Sequence, residues 1–289
     1  MLYDQQIASW LGGEKMSRQS QHHADLQDLR ADKACNFLLA DPKFNSWYRS
    51  RDSKQLVIIG EMGSGKSVAM AFLVDELRQR SEHQLPQAKI CYYYCRKDGN
   101  GQAIHIYSVL IMSPLEQLAG LKKPFFEWHK RTMASGTDPA ANFKTLEQWL
   151  QDTLEPLDRQ IIFAIDTLDE CDRQSRDRLL KSLGRISETT PRLKILLSSS
   201  PEEDIIEHFL GTSMVAMRSD ATRDRLIVEK KVRLLHFHAD VKALAIERLS
   251  HLAQGSAIWA KMAVELIEAR AIKALEPMRA FLNKLPQPK

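Results

Sequence analysis

The fold class predicted by this sequence is α/β: a doubly wound, five-stranded parallel sheet followed by a small all-helical domain. Three observations predict it. Apolar runs of strand type recur at residues 56–60, 89–95, 159–166, 193–199 and 213–217, with longer intervals of helical spacing between most of them. Runs such as RQIIFAID and LKILLSS are continuous rather than alternating, which is the pattern of strands covered on both faces and therefore of a parallel sheet. Beyond residue 221 strand-type runs cease, and 222–235, 240–253, 256–269 and 275–285 all carry helical spacing. At 289 residues the chain also exceeds the roughly 250 at which single cores stop growing, so a large domain plus a small one is expected.

The elements follow in order. Residues 1–24 are polar, with Gly12-Gly13 and a Ser/Gln/His cluster, and are expected to form a loosely ordered lead-in. Leu26, Leu29, Ala34, Phe37 and Leu38 have helical spacing, and Pro42 interrupts it, so two short helices are expected over 24–48. After the first strand, 68–80 reads as a helix; after the second, 98–101 reads as a turn. Segments 104–121 and 142–157 read as helices separated by a polar stretch. The expected division is 25–220 for the sheet domain with its leading helices and 221–289 for the helical domain, without internal repeats.

Charge narrows the partners. The 41 basic residues only slightly exceed the 37 acidic, and no block of five or six like charges occurs, so neither nucleic acid nor a membrane is an expected partner. Cys35, Cys91, Cys95 and Cys171 lack C-x-x-C spacing and read as buried free thiols in a reducing compartment. The amino terminus lacks the basic start and apolar core of a signal peptide, so a cytoplasmic location is expected.

Residues 60–67 read GEMGSGKS, a full match to the phosphate-binding pattern G-x-x-x-x-G-K-[ST], placed between a strand and a helix as that loop requires. Gly60, Glu61, Met62, Gly63, Ser64, Gly65, Lys66, Ser67 and Val68 are therefore the expected nucleotide-binding residues. Gly63 and Gly65 let successive N–H groups turn inward at the positive end of the helix. Lys66 would neutralise β/γ-phosphate oxygens, and the Ser67 hydroxyl would be a ligand of Mg²⁺.

The run 161–171, IIFAIDTLDEC, supplies the second element. A buried strand ending at Asp166 delivers a carboxylate to the same edge of the sheet as the loop, where it would hold the Mg²⁺ through water. Asp169 and Glu170 follow within one turn, and one of them would activate a water; Glu170 is the first choice and Asp169 the second. An acidic helix start is the competing reading for at least one of these carboxylates. His22-His23 and His236-x-His238 have no cysteine or carboxylate pattern joining them into a metal site, and Tyr92–Tyr94 and Trp259 read as core, the latter packing with Ile258, Met262 and Leu266.

The D-x-x-DE pattern at 161–170, the loop at 60–67, KILLSS before Pro201 and GSAIWAKM at 255–262 together resemble a NACHT P-loop NTPase, and more narrowly the nephrocystin-like NACHT modules of fungal signalling ATPases. The resemblance extends from about Leu26 to the end. It implies an ATP/ADP-controlled switch, with nucleotide between the sheet and helical domains and with exchange and hydrolysis governing self-association in signalling or non-self recognition.

Two departures qualify that implication. An arginine that senses the terminal phosphate in such proteins is replaced by Ser200, within Ser198-Ser199-Ser200-Pro201, which implies slow or absent hydrolysis. Ser200-Pro201-Glu202-Glu203 also reads as a capping box, in which Ser200 merely starts a helix running to Phe209; Ser199 is the second candidate for a hydroxyl at this sensor position. Second, the chain stops at Leu285-Pro286-Gln287-Pro288-Lys289, whereas related chains are expected to continue after a Leu-Pro into a winged-helix domain. A nucleotide-holding scaffold without turnover and a P-loop small-molecule kinase are the alternative functions.

Overall fold

The computed structural model describes residues 2–52, 54–97, 101–218 and 220–288. Four helices lead in: α1 (Leu2–Leu11), α2 (Gly13–Leu29), α3 (Asn36–Ala40) and α4 (Pro42–Arg49). The sheet region follows as β1 (Lys54–Ile59), α5 (Lys66–Ser81), β2 (Lys89–Tyr94), α6 (Ala103–Gln117), α7 (Lys122–Ala134), α8 (Phe143–Leu154), β3 (Ile161–Asp166), α9 (Arg173–Thr189), β4 (Leu193–Ser199), α10 (Glu203–His208) and β5 (Ser213–Ala216). The chain then continues through α11 (Ala221–Arg233), α12 (Ala239–Leu252), α13 (Ala257–Ala269) and α14 (Leu275–Leu282).

The five strands form one sheet in the order β2-β3-β4-β1-β5, every pairing parallel. Period-two geometry sends alternate side chains to opposite layers. Cys91, Tyr93, Phe163, Ile165, Ile195 and Leu197 join one core with α6, α8 and α9, while Ile90, Tyr92, Ile162, Ala164 and Leu196 join another with α3, α4 and α5. Both faces are thus covered, which is why β3 and β4 are buried at every residue. A third cluster, including Val228, Val232, Leu249, Ala260 and Ile267, is built from α11 to α14.

Several sequence expectations are corrected. The described part of the lead-in, residues 2–24, is helical, in α1 and most of α2, rather than loosely ordered. α1 is ordered by Ile7 and Leu11, which join the first core, and α2 also by polar side chains that satisfy the sheet edge. β2 is an edge strand, and Gln19 of α2 accepts the Tyr94 N–H at 2.7 Å and donates to the Tyr94 carbonyl at 3.2 Å. His23 adds bonds to the Tyr94 hydroxyl (2.6 Å) and Asp75 (3.0 Å), so α2 occupies the open ladder edge. The polar stretch after α6 contains α7, whose Phe125 and His129 are buried. The turn expected at 98–101 falls mostly outside the described residues.

Lys194, the second residue of β4, has no exposed surface. Its ammonium donates to the carbonyl oxygens of Trp47 (2.7 Å) and Tyr48, two of the orphan acceptors at the end of α4. A charged residue in a buried strand is thereby used to terminate a helix on the neighbouring layer.

Candidate functional site

The phosphate loop joins β1 to α5 at the carboxyl edge of the sheet. Gly63 and Gly65 adopt left-handed φ values of 81° and 88°, conformations that a side chain strongly disfavours. Gly63 is also closed over from outside: a Cβ there would overlap the Ile258 γ-methyl, and the Ile258 N–H donates to the Gly63 carbonyl at 3.2 Å. The loop is thus clasped by the first turn of α13. α5 begins at Lys66, so the positive end of its dipole faces the loop's concavity.

Lys66 is buried, and its ammonium donates to the carbonyls of Gly60 (2.8 Å) and Glu61 (3.2 Å) and to the Ser200 hydroxyl (3.1 Å). Ser200 in turn donates its backbone N–H to Asp169 Oδ1 at 2.9 Å and its hydroxyl to Oδ2 at 2.8 Å, while the Ser199 hydroxyl donates to Oδ1 at 3.3 Å. Burial raises the cost of charge on Asp169, but the Ser200 N–H and hydroxyl and the Lys66 ammonium outweigh it and hold its carboxyl below the ordinary value. The capping-box reading of Ser200 is therefore corrected. Glu202 occupies the N-cap of α10, and Ser200 faces the loop instead.

Asp166 ends β3 with 1% exposure; one carboxylate oxygen accepts from Ser198 and the other from Thr167. Thr167 is held at a left-handed φ of 57° with its N–H on Ser198 Oγ (2.9 Å), and its hydroxyl lies 3.5 Å from that of Ser67. Burial pushes Asp166 up, against the hydroxyls around it. A hydroxyl and a carboxylate side by side are hard oxygen donors of the kind Mg²⁺ takes, so Ser67 and Asp166 fit that ion. Among the described residues no group of three His, Cys, Asp or Glu is placed to hold a metal.

Glu170 follows in a 3₁₀ turn, Leu168–Glu170, and is half-buried. Burial, with Asp169 and Asp166 adding repulsion, raises its pKa despite a hydrogen bond from the Lys97 backbone. The two carboxylates that sequence left as alternatives are thus in different states. Asp169 is fully engaged by three donors, whereas Glu170 lines the cleft with its proton affinity increased.

That cleft has a volume of about 350 Å³ and gathers Gly63, Gly65, Lys66, Ser67, Val68, Asp169, Glu170 and Ser200. The resemblance implied a wall from the helical domain, but the residues of the other walls were not singled out in the sequence. Leu29, Ala31, Ala34 and Cys35 come from the segment before β1, and Arg223, Ile227, Lys231, Ala257, Ile258 and Lys261 from α11 and α13. Asp224 fixes the approach of α13 by accepting the Gly255 N–H at 2.7 Å, with Gly255 at a left-handed φ of 86°. Ile258, Met262 and Leu266, expected in the core with Trp259, are exposed, while Trp259 packs against the third cluster with its indole N–H on the Pro286 carbonyl at 2.9 Å. Arg176 is buried between Glu202 (3.1 Å) and Asp204. All four cysteines are buried free thiols, with Cys95 and Cys171 sulfurs 3.2 Å apart behind Glu170.

The family described as Nephrocystin 3, N-terminal, matches residues 33–200, more than half of the chain and inclusive of the loop, Asp166, Asp169, Glu170 and Ser200. The chain belongs to the Nephrocystin 3 N-terminal family. It is a NACHT-like P-loop NTPase domain, in agreement with the resemblance carried by its motifs. The vegetative incompatibility protein HET-E-1 of Podospora anserina is 25% identical over 186 residues, 62% of this chain but 13% of that protein. The chain therefore spans a small fraction of this relative's length. Among solved structures, the Aeropyrum pernix ORC2 protein with ADPNP and ADP superposes with a TM-score of 0.53 at 14% identity, covering 90% of this chain and 68% of that one. The A. pernix ORC1 protein in complex with DNA gives 0.52 at 14%, covering 88% and 65%. These likenesses show the fold, a P-loop α/β sheet with a helical region after it. The expectation that nucleic acid is not a partner gains no support from them. No helix among the described residues is long and apolar enough to cross a membrane.

Proposed function

We propose that this Nephrocystin 3 N-terminal domain is a Mg²⁺-dependent ATP/ADP-binding switch with slow hydrolysis, whose nucleotide state governs self-association in signalling or non-self recognition. One observation carries the reading: Lys66, Ser67, Glu170 and the Asp169–Ser200 pair line a cleft, with Asp166 buried behind its Thr167, and the opposite wall is the helical region, so an occupant would touch both parts.

The roles follow from the chemistry. The loop N–H groups from Gly60 to Ser67, with Val68, bind phosphate, and Lys66 leaves its carbonyl partners to neutralise it. Leu29, Ala31, Ala34 and Ile227 give an apolar flank for the base. Ser67 and Asp166 would hold the Mg²⁺, which when bound would neutralise charge on the β- and γ-phosphate oxygens. Glu170 accepts a proton from the attacking water, a role its raised pKa suits. Asp169, tied to Ser200 and Lys66, positions the sensor segment. At Ser200 a hydroxyl stands where an arginine would supply positive charge, and arginines in such places are worth orders of magnitude in rate, hence the slow turnover.

Phosphate release from ATP by the wild type, Lys66→Ala, Glu170→Gln and Ser200→Arg tests this. Release should disappear in the first two variants and rise in Ser200→Arg. Tight nucleotide retention without release in any of them would make the domain a non-hydrolysing scaffold, the second reading that Ser200 favours. Transfer of phosphate to an added small-molecule acceptor rather than to water would make it a kinase.

A further inference from the structure

Arg223, in the first turn of α11, is 5% exposed. Its guanidinium reaches across the helical region's boundary: one terminal nitrogen donates to the carbonyl of Ser64 inside the phosphate loop, and the other donates to the Arg218 carbonyl at 3.4 Å. A Cβ on Gly65 would stand 3.0 Å from it, and the side chain lines the cleft beside Gly65 and Lys66.

Among the described residues no carboxylate comes within ion-pair distance of Arg223, and Asp220 and Asp224 act on it only from further off. Arg176, buried to a similar degree, is held by two carboxylates, Glu202 and Asp204. Arg223 has no ion pair with a carboxylate among the described residues, although a buried charge without a partner is among the most expensive features a fold can keep. Burial accordingly depresses its pKa, with only partial relief from Cys35, Asp224 and Asp220. Among the described residues two of its five N–H donors are engaged, and both by neutral carbonyls. A planar donor fork, poorly compensated and pressed against a phosphate cradle, is matched by a phosphate oxyanion.

We propose that Arg223 is a phosphate ligand supplied by the helical region of the same chain, contributing from the far wall of the cleft the positive charge that Ser200 does not. This rests on the nucleotide-binding reading above. It also gives that reading a physical link: phosphate would draw Arg223 off the Ser64 carbonyl and so bias the clasp between α11, α13 and the loop.

The proposal is tested by calorimetric binding of Mg·ATP, Mg·ADP and AMP to the wild type, Arg223→Met and Arg223→Lys, with thermal unfolding in the absence of nucleotide. Arg223→Met should lower affinity for ATP and ADP by about tenfold or more while leaving AMP within about twofold, since a charge-assisted bond to a β- or γ-phosphate is what it loses. Its nucleotide-free unfolding midpoint should not fall, because the uncompensated charge goes with the Ser64 bond. Arg223→Lys should lie between the two, and decides the matter alone if Arg223→Met does not fold. Unchanged ATP and ADP affinity overturns the proposal, as does an equal loss for AMP, which would mark Arg223 as a structural strut of the loop. Wild-type binding that vanishes in Lys66→Ala but ignores Arg223 removes this proposal alone. A wild type that binds no nucleotide removes the parent reading as well.

Discussion

Ser200 presents its backbone N–H and its hydroxyl to the two oxygens of Asp169, at 2.9 and 2.8 Å, and accepts from Lys66 at 3.1 Å on the same hydroxyl. This chain of contacts links the end of β4 to the loop after β3 and to the first residue of α5. The position that lacks an arginine is thus wired directly to the phosphate-binding lysine.

Removing that hydroxyl should be felt as stability before it is felt as chemistry. Ser200→Ala should cost about 0.5–1.5 kcal/mol in denaturant unfolding, the worth of an ordinary hydrogen bond. Asp169→Asn should cost more, because it replaces one acceptor oxygen by a donor that faces donors. Equal values for the two variants would contradict the pairing.

The clasp on Gly63 has a sharper signature. Gly63→Ala imposes a left-handed φ on alanine, worth roughly 1–2 kcal/mol, and adds the overlap with Ile258. Combining it with Ile258→Ala should recover part of the loss, so the double-mutant cycle should be non-additive by about 0.5 kcal/mol or more. Strict additivity would mean that α13 does not close on the loop.

Lys194 should be structural. Lys194→Met leaves the Trp47 and Tyr48 carbonyls without their donor and should cost about 1–3 kcal/mol near neutral pH. Burial, with Lys54 adding repulsion, pulls its ammonium down to about 8. Between there and the ordinary value of 10.5 the unfolded chain holds a proton that the native state has given up, so the wild type should gain stability over Lys194→Met as pH rises through that window. Parallel stability curves for the two proteins above pH 8 would refute this.

Acid should act through His129. Its ring stacks on Trp10 with centroids 3.7 Å apart, it is 3% exposed, and neither ring nitrogen has a partner among the described residues. Burial lowers its pKa from 6.5, with Asp138 opposing. Its contribution is therefore present above pH 6.5 and lost as pH falls through the folded value, because the unfolded chain takes up the proton first. His129→Phe should flatten the stability profile below pH 6.5. An unchanged slope would show that His129 is not the group responsible.

What sequence revealed and what it hid divide along a physical line. The loop was legible because phosphate binding demands fixed glycines and a lysine at fixed spacing, and β3 and β4 were legible because strands covered on both faces are apolar throughout. The helices α1 and α2 were not, since Gln19 and His23 look like surface residues until the edge of β2 supplies their partners. Ser200 matched a local capping pattern, but the tertiary demand of Asp169 for its N–H prevailed and the cap moved to Glu202. Arg223 carried no local signal, and Ile258 was marked only as part of the 255–262 motif, not as a clasp on the loop. Their place at the loop depends on how α11 and α13 fold back, which residue spacing along the helices does not encode.

The most direct test is equilibrium binding of ATP and ADP to the wild type and to Lys66→Ala, with Mg²⁺ and with a chelator. The wild type should bind both nucleotides, Lys66→Ala should lose most of that affinity while remaining folded, and removal of Mg²⁺ should weaken ATP more than ADP. A wild type that binds neither, or a Lys66→Ala protein that binds both as well as the wild type, would contradict a phosphate cradle at residues 60–67.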